Sequence, residues 1–211
     1  MLKINNLNAY YGDNHVIKNL SFDIEENEIV SFIGPSGGGK STLLNCINRF
    51  ICEKGGRYEG EILLNGKNTE DYSLSELRHR ICTVFQDSKP FPMSIEKNLK
   101  YVLNYYGVKK KDKRVKEILE MVGLYEEVSN KLKSHAMSLS GGQMQRLCIG
   151  RALACSPDVI LLDEPCASLD PANTQNIENL IVELSKKNTI LMVTHNIAQA
   201  ERISDKIIQV G

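Results

Sequence analysis

A layered α/β fold built on a mainly parallel sheet is predicted by three features of the 211-residue chain. Strand-like and helix-like segments alternate toward both ends, as in strand–helix–strand units. Three strand-like runs, Ile29-Val30-Ser31-Phe32-Ile33, Val159-Ile160-Leu161-Leu162 and Ile190-Leu191-Met192-Val193, are short, apolar and rich in β-branched residues, as strands buried on both faces are. Helical spacing brings Val115, Ile118, Leu119 and Val122 together at i, i+3, i+4 and i+7, and Ile177, Leu180, Ile181 and Leu184 repeat the pattern.

In chain order, the run ending at Ile33 meets Gly34-Pro35-Ser36-Gly37-Gly38-Gly39-Lys40-Ser41, and Thr42-Leu43-Leu44-Asn45-Cys46-Ile47 then reads as a helix. The octapeptide matches G-x-x-x-x-G-K-[ST] with the required strand before it and helix after it. Its glycines let the backbone turn tightly and aim successive N–H groups inward, and the helix start adds partial positive charge, so the loop suits a polyphosphate. Lys40 is expected to neutralise β- and γ-phosphate oxygens, and the Ser41 hydroxyl to ligate Mg²⁺. This loop alone specifies a nucleoside triphosphatase.

Ile81-Cys82-Thr83-Val84-Phe85 reads as a further strand, ending at Gln86. From about residue 88 to about residue 156 the pattern is almost wholly helical, with a polar Lys109–Arg114 run, which predicts a helical subdomain inserted between core strands. Val159–Leu162 then leads into Asp163-Glu164, two acids at a strand end, where an open α/β sheet carries its ligand crevice. Asp163 is expected to hold Mg²⁺ through water. Since neighbours on a strand face opposite ways, Glu164 is expected to meet the attacking water as general base.

Composition narrows the function further. Twenty-six Lys+Arg balance 26 Asp+Glu, so there is no basic field to draw the chain onto nucleic acid or anionic lipid, and no nucleic-acid partner is expected. No stretch approaches the roughly 18 apolar residues that span a bilayer, which leads to an expected cytoplasmic location. The six cysteines form no Cys-x-x-Cys pair and read as reduced, small, buried side chains.

Leu139-Ser140-Gly141-Gly142-Gln143 lies between the phosphate loop and the carboxylate strand and resembles the signature sequence of ATP-binding cassette proteins. Physically it is a helix start able to meet an anion. The resemblance spans essentially the whole chain. It implies one cassette domain over 1–211 with a P-loop NTPase core, an antiparallel β subdomain near the N-terminus and the helical insert at about 88–156. It also implies that Tyr11 stacks on adenine and that Gly34 to Ser41, with Thr42, bind ATP. Gln86 would contact Mg²⁺ and sense a transmembrane partner, and His195 would contact the γ-phosphate and orient the water. Ser168-Leu169-Asp170 would cross to a second copy, while Ser140, Gly141, Gly142 and Gln143 would complete the site of that copy. ATP and Mg²⁺ are the implied ligands. The implied assembly is a homodimer on two transmembrane permease subunits at the cytoplasmic membrane face, served by an extracytoplasmic solute-binding protein.

Within the family the chain is most similar to the ATP-binding subunits of phosphate importers. Asn48-Arg49-Phe50, Glu59-Gly60-Glu61-Ile62, Pro90-Phe91-Pro92-Met93-Ser94-Ile95, Gln145-Arg146-Leu147-Cys148-Ile149 and Thr194-His195-Asn196 with Gln199-Ala200 carry that similarity. It departs at Ser88-Lys89, Gly150 and Cys166-Ala167-Ser168 without removing a catalytic group. Phosphate import is the expected function; another importer, an exporter or a cell-division complex is the alternative. A soluble cassette acting on DNA or ribosomes is a third class, which typically carries coiled-coil, zinc-binding or duplicated-cassette insertions, and none is present.

Overall fold

The computed structural model describes residues 1–87 and 89–211. Ser88, where the helical insert was expected to open and where one departure from the phosphate-importer pattern falls, lies outside them. In chain order the elements are β1 (Leu2–Tyr11), β2 (Asn14–Ile24), β3 (Ile29–Ile33), α1 (Lys40–Ile47), β4 (Gly56–Leu64), β5 (Lys67–Asn68), α2 (Leu74–Arg80), β6 (Ile81–Val84), α3 (Ile95–Tyr105), α4 (Lys111–Met121), α5 (Tyr125–Val128), α6 (Gly141–Leu153), β7 (Val159–Asp163), α7 (Pro171–Ser185), β8 (Thr189–Val193), α8 (Ile197–Ile203) and β9 (Lys206–Gln209).

Two sheets form. One has the order β6-β7-β8-β3-β9 and the other β2-β1-β4-β5. Every pairing in the first is parallel, and every pairing in the second is antiparallel. The expected mainly parallel core and N-terminal antiparallel piece are both present.

Burial on both faces explains the continuous apolar runs. Val30, Phe32, Val159, Leu161, Leu191 and Val193 enter a core shared with α1 and the antiparallel sheet. Their neighbours Ile29, Ile160, Leu162, Ile190 and Met192 point the other way, into a core shared with α3, α4, α6 and α7. Period-two alternation therefore holds, but both directions are apolar.

The amphipathic helices use their predicted faces. Val115, Ile118 and Leu119 of α4 are buried, as are Ile177, Leu180, Ile181 and Leu184 of α7. Of the cysteines, Cys46, Cys82 and Cys148 are buried and Cys155 and Cys166 half-buried, but Cys52 is exposed on a short helical turn, contrary to the expectation of burial. No helix among the described residues is long and apolar enough to cross a membrane.

Candidate nucleotide site at the carboxyl ends of the parallel strands

Parallel pairing puts the ends of β3, β6, β7 and β8 along one rim of the sheet, with Val84 beside Leu162 and Asp163 beside Val193. The phosphate loop follows β3, Gln86 follows β6, Asp163 ends β7 with Glu164 just past it, and His195 follows β8. These segments, distant in sequence, share the rim because each strand runs the same way.

The phosphate loop is wedged between two strands. A Cβ on Gly34 would stand 2.0 Å from the Val210 carbonyl oxygen beyond β9, and one on Gly39 would stand 3.1 Å from Val16 Cγ1 of β2. Gly34 also has φ 152°, a backbone essentially reserved for glycine. Gly39 is the N-cap of α1, and no side chain caps that helix start. The first N–H groups of α1 therefore keep no intrahelical or side-chain acceptor, which suits them to an anion. Lys40 is buried, and its ammonium donates to the carbonyls of Gly34 at 2.8 Å and Pro35 at 2.9 Å, so its charge sits inside the loop.

The Ser41 hydroxyl donates to Asp163 Oδ1 at 3.0 Å, joining α1 to the end of β7. Burial raises the Asp163 carboxyl above its ordinary value, against the lowering effect of the Ser41 hydroxyl. A half-buried carboxylate beside a hydroxyl is an all-oxygen donor pair. Among the described residues no group of three or more His, Cys, Asp or Glu gathers anywhere. A donor set of one carboxylate plus neutral oxygens suits Mg²⁺, which keeps waters and takes phosphate oxygens for the rest. The residues fit the ion. Gln86 is exposed, and among the described residues no hydrogen bond joins it to Ser41 or Asp163.

Glu164 lies one residue past β7 with φ 49°. The separation of the two acids, expected from strand alternation, comes instead from this left-handed turn, because Glu164 is outside the strand. Its N–H donates to the Val193 carbonyl at 3.0 Å, and Glu164 Oε2 pairs with His195 Nδ1 at 2.9 Å. The glutamate side chain is 13% exposed and the histidine 66%. A glutamate in left-handed backbone is costly, and such strain persists where surrounding contacts over-determine it.

The remaining predicted residues stand around this cluster. Tyr11 ends β1 on the face that carries buried Ala9, and its ring packs where a Cβ on Gly56 would be 2.8 Å away. Ser140 caps α6 in a reciprocal capping box with Gln143, whose amide also donates to Glu127 at 2.7 Å. Gly141 faces Leu169, and Gly142 faces Asn173 of α7. No hydrogen bond among the described residues joins Ser140–Gln143 to Gly34–Ser41. Asp170 caps α7, accepting from the Asn173 N–H at 2.9 Å with Pro171 at the first helical position.

Three structural features have no role in the sequence reading. A groove of about 390 Å³ beside Gly38 is lined by His15, Val16, Lys18 and Val210, which carry no motif. Asn98, wholly buried on α3, clasps the proline loop: its Oδ1 accepts from Phe91 N–H at 2.7 Å, and its Nδ2 donates to the carbonyls of Phe91 at 3.2 Å and Ser94 at 3.0 Å. Thr194, Gln199 and Glu178 form a buried polar network beside His195. The apolar-to-polar spacing around these residues gives no sign of their pairing.

Comparison with known proteins agrees with this geometry. The family model described as ABC transporter matches residues 17–167. A protein of Shouchella clausii (strain KSM-K16) named Phosphate import ATP-binding protein PstB 2 is 47% identical over 211 residues, covering 98% of this chain and 78% of that one. Its namesake in Synechococcus sp. (strain JA-2-3B'a(2-13)) is 48% identical over 209 residues, covering 97% and 79%. Among solved structures, a bacterial Atm1-family ABC exporter with ATP bound superposes with a TM-score of 0.85 at 26% identity, and this chain spans 36% of that chain. A dimeric ATP-binding cassette in a post-hydrolysis state, bound to ADP and Pi, superposes with a TM-score of 0.79 at 33% identity, covering all of this chain and 94% of that one. A glycine loop on one strand, an acid pair on another and a histidine on a third meet at one rim, and with these matches the chain belongs to the ABC transporter family as one of its ATP-binding cassettes.

Proposed function

We propose that the chain is the ATP-hydrolysing subunit of an importer and couples hydrolysis to phosphate uptake. The observation that carries this reading is the meeting of Lys40, Ser41 and Asp163 with the Glu164–His195 pair at a single rim. The close relatives named for phosphate import support the solute.

Gly34 to Thr42 hold the triphosphate through backbone N–H groups, and Lys40 turns its ammonium from its own loop carbonyls to the β- and γ-phosphate oxygens. Tyr11 stacks on the adenine. Ser41 and Asp163, with Gln86 moved in from its exposed position, hold the metal. Mg²⁺, when bound, supplies charge neutralisation to the transferring phosphoryl group. Glu164 accepts a proton from water as the water oxygen bonds to the γ-phosphorus. The bond to the β–γ bridging oxygen breaks, its electron pair leaves with ADP, and inorganic phosphate is released. His195 keeps Glu164 aimed through Nδ1–H and, protonated on Nε2 as well, donates to the γ-phosphate.

Two copies complete the work. Ser140 to Gln143 of a second copy close over the γ-phosphate, and Ser168 to Asp170 cross between copies. Closure excludes bulk water and adds donors where charge develops. The helices between β6 and β7 form the subdomain that meets two permease subunits at the cytoplasmic membrane face, with a solute-binding protein beyond them. An apolar groove of about 260 Å³ lined by Phe85, Phe91, Tyr101 and Arg151 next to Gln86 supports that docking.

Glu164→Gln tests the chemistry. MgATP affinity should stay within about twofold, turnover should fall about 10²–10⁴-fold, and ATP-bound dimer should accumulate on size exclusion. Hydrolysis by this variant at the unmodified rate would remove Glu164 as the base. Co-purification with permease subunits, followed by ATPase stimulation from phosphate-loaded binding protein alone, tests the solute.

A further inference from the structure

His195 has little to hold its ring. Its side chain is 66% exposed and, among the described residues, meets one partner, Glu164, at 2.9 Å. A carboxylate only accepts, so this contact places the imidazole proton on Nδ1. The backbone beneath is different. Thr194 is 2% exposed, and its hydroxyl uses both functions: it donates to Gln199 Oε1 at 3.0 Å and accepts the Asn196 N–H at 3.1 Å. Those bonds flank His195 on both sides. Thr194 N–H also donates to the Phe32 carbonyl at 3.2 Å, which ties the turn to the strand bearing the phosphate loop.

The arrangement has a direction, and a buried charge sets it. Glu178 on α7 is 1% exposed. Arg202 of α8 grips it as a fork, Nε to Oε2 at 3.0 Å and a terminal nitrogen to Oε1 at 2.7 Å. Gln199 Nε2 donates to the same Oε1 at 3.2 Å. With the amide nitrogen committed to the carboxylate, Gln199 must offer its oxygen to Thr194, since the flipped amide would press oxygen against oxygen. The Thr194 hydroxyl proton must then point to Gln199, which leaves its lone pair for Asn196. Gln199 N–H closes the ring on Asn196 Oδ1 at 3.0 Å.

We infer that Glu178, Gln199 and Thr194 are positioning residues that fix the His195 turn, so that its Nδ1–H faces Glu164 during hydrolysis. The part concerning hydrolysis rests on the ATPase reading above; the part concerning the tautomer does not. Charge at residue 178 selects the Gln199 amide orientation, the amide orients the Thr194 hydroxyl, and the hydroxyl holds the turn. A displacement on the order of 1 Å at a reacting group can cost about 100-fold in rate, so loss of this chain should appear in turnover rather than in nucleotide affinity.

Thr194→Val removes the hydroxyl at nearly constant volume, and Thr194→Ser retains it. Both are compared with the unmodified full chain well below the unfolding temperature. Turnover of Thr194→Val should fall about 10- to 100-fold with MgATP affinity within about twofold, and Thr194→Ser should restore most of it. Independently, ¹⁵N shifts of the His195 ring should report the Nδ1–H tautomer in the unmodified chain and in Thr194→Ser, and a mixed population in Thr194→Val. A purely structural role would lower the unfolding temperature of both variants and leave tautomer and turnover per folded molecule alone. The inference falls if Thr194→Val keeps the Nδ1–H tautomer, or if an active unmodified chain and Thr194→Val turn over equally, or if serine and valine are equally impaired. An unmodified chain that hydrolyses nothing, yet whose tautomer responds as expected, overturns the ATPase reading and leaves the positioning chain standing.

Discussion

Gly34→Ala isolates the steric demand of the phosphate loop. The added Cβ would lie 2.0 Å from the Val210 carbonyl oxygen and 3.1 Å from its carbon, so backbone, not a flexible side-chain end, must yield by more than an ångström. Val210 is itself pinned, its N–H donating to the Ile33 carbonyl at 2.8 Å. Overpacking of this kind costs about 1–3 kcal/mol, a φ of 152° on a residue with a side chain costs on the order of 1–3 kcal/mol, and the strained hydrogen bond about 1 kcal/mol. The total is about 3–7 kcal/mol, and at roughly 2–4 °C per kcal/mol for a chain of this size the unfolding midpoint should drop by about 6–28 °C. Gly37→Ala is the internal control. Gly37 also has positive φ, 78°, but its Cβ would meet nothing within 4 Å, so only a backbone penalty of about 1–2 kcal/mol, or about 2–8 °C, applies. Thermal unfolding of the three proteins by circular dichroism decides the matter. Equal midpoints for the two variants would refute the argument that the Val210 carbonyl presses on Gly34.

The other expectations concern single groups. Burial raises the Asp163 carboxyl, so its ionisation in the folded state works against folding: the contribution is most favourable below the ordinary carboxylate range and is lost as pH rises through the raised value. Asp163→Asn should therefore raise the nucleotide-free unfolding temperature at pH 7 and flatten its pH dependence above about pH 4, while abolishing Mg²⁺-dependent hydrolysis; a lower midpoint at pH 7 would contradict this. Asn98→Ala strips three hydrogen bonds from the proline loop; it should cost about 2–4 kcal/mol in denaturant titrations and weaken permease co-purification, with MgATP affinity of the isolated chain within about twofold. A thiol reagent should modify exposed Cys52 first and Cys46, whose thiol burial pushes up to about 12, among the last; peptide mapping against time would show the order.

The parts of the fold that could be read from residues alone are those with one dominant local force. Ile29–Ile33 and Thr189–Val193 are apolar apart from Ser31 and Thr189 because both faces are covered, and α7 carries its stripe without interruption. The antiparallel sheet was visible only through family resemblance. Its long strands break period two at bulges, with register shifts between Ile4 and Leu7 and again near Ala9, and Asn6 and Asn19 adopt positive φ beside them. In the site, the phosphate loop and the acid pair are local motifs and were legible as such. The backbone of Glu164 was not, since glutamate carries no preference for φ 49° and is held there by Val193, 29 residues on. The Asn98 clasp and the buried Glu178 likewise depend on partners brought together by packing, which spacing along the chain does not encode.

One feature of the insert constrains how force can cross it. The proline loop before α3 is zipped to the stretch leading into the signature: Ala136 N–H donates to Met93 O at 2.9 Å, Ile95 N–H to Ser134 O at 3.1 Å and Glu96 N–H to Leu132 O at 3.0 Å. These are peptide-to-peptide bonds, indifferent to the side chains that bear them. A tug on Phe91 would thus reach the neighbourhood of Ser140 through a seam that most substitutions leave whole, and proline at Ala136 or Ile95, which deletes a donor, is the replacement that would unpick it.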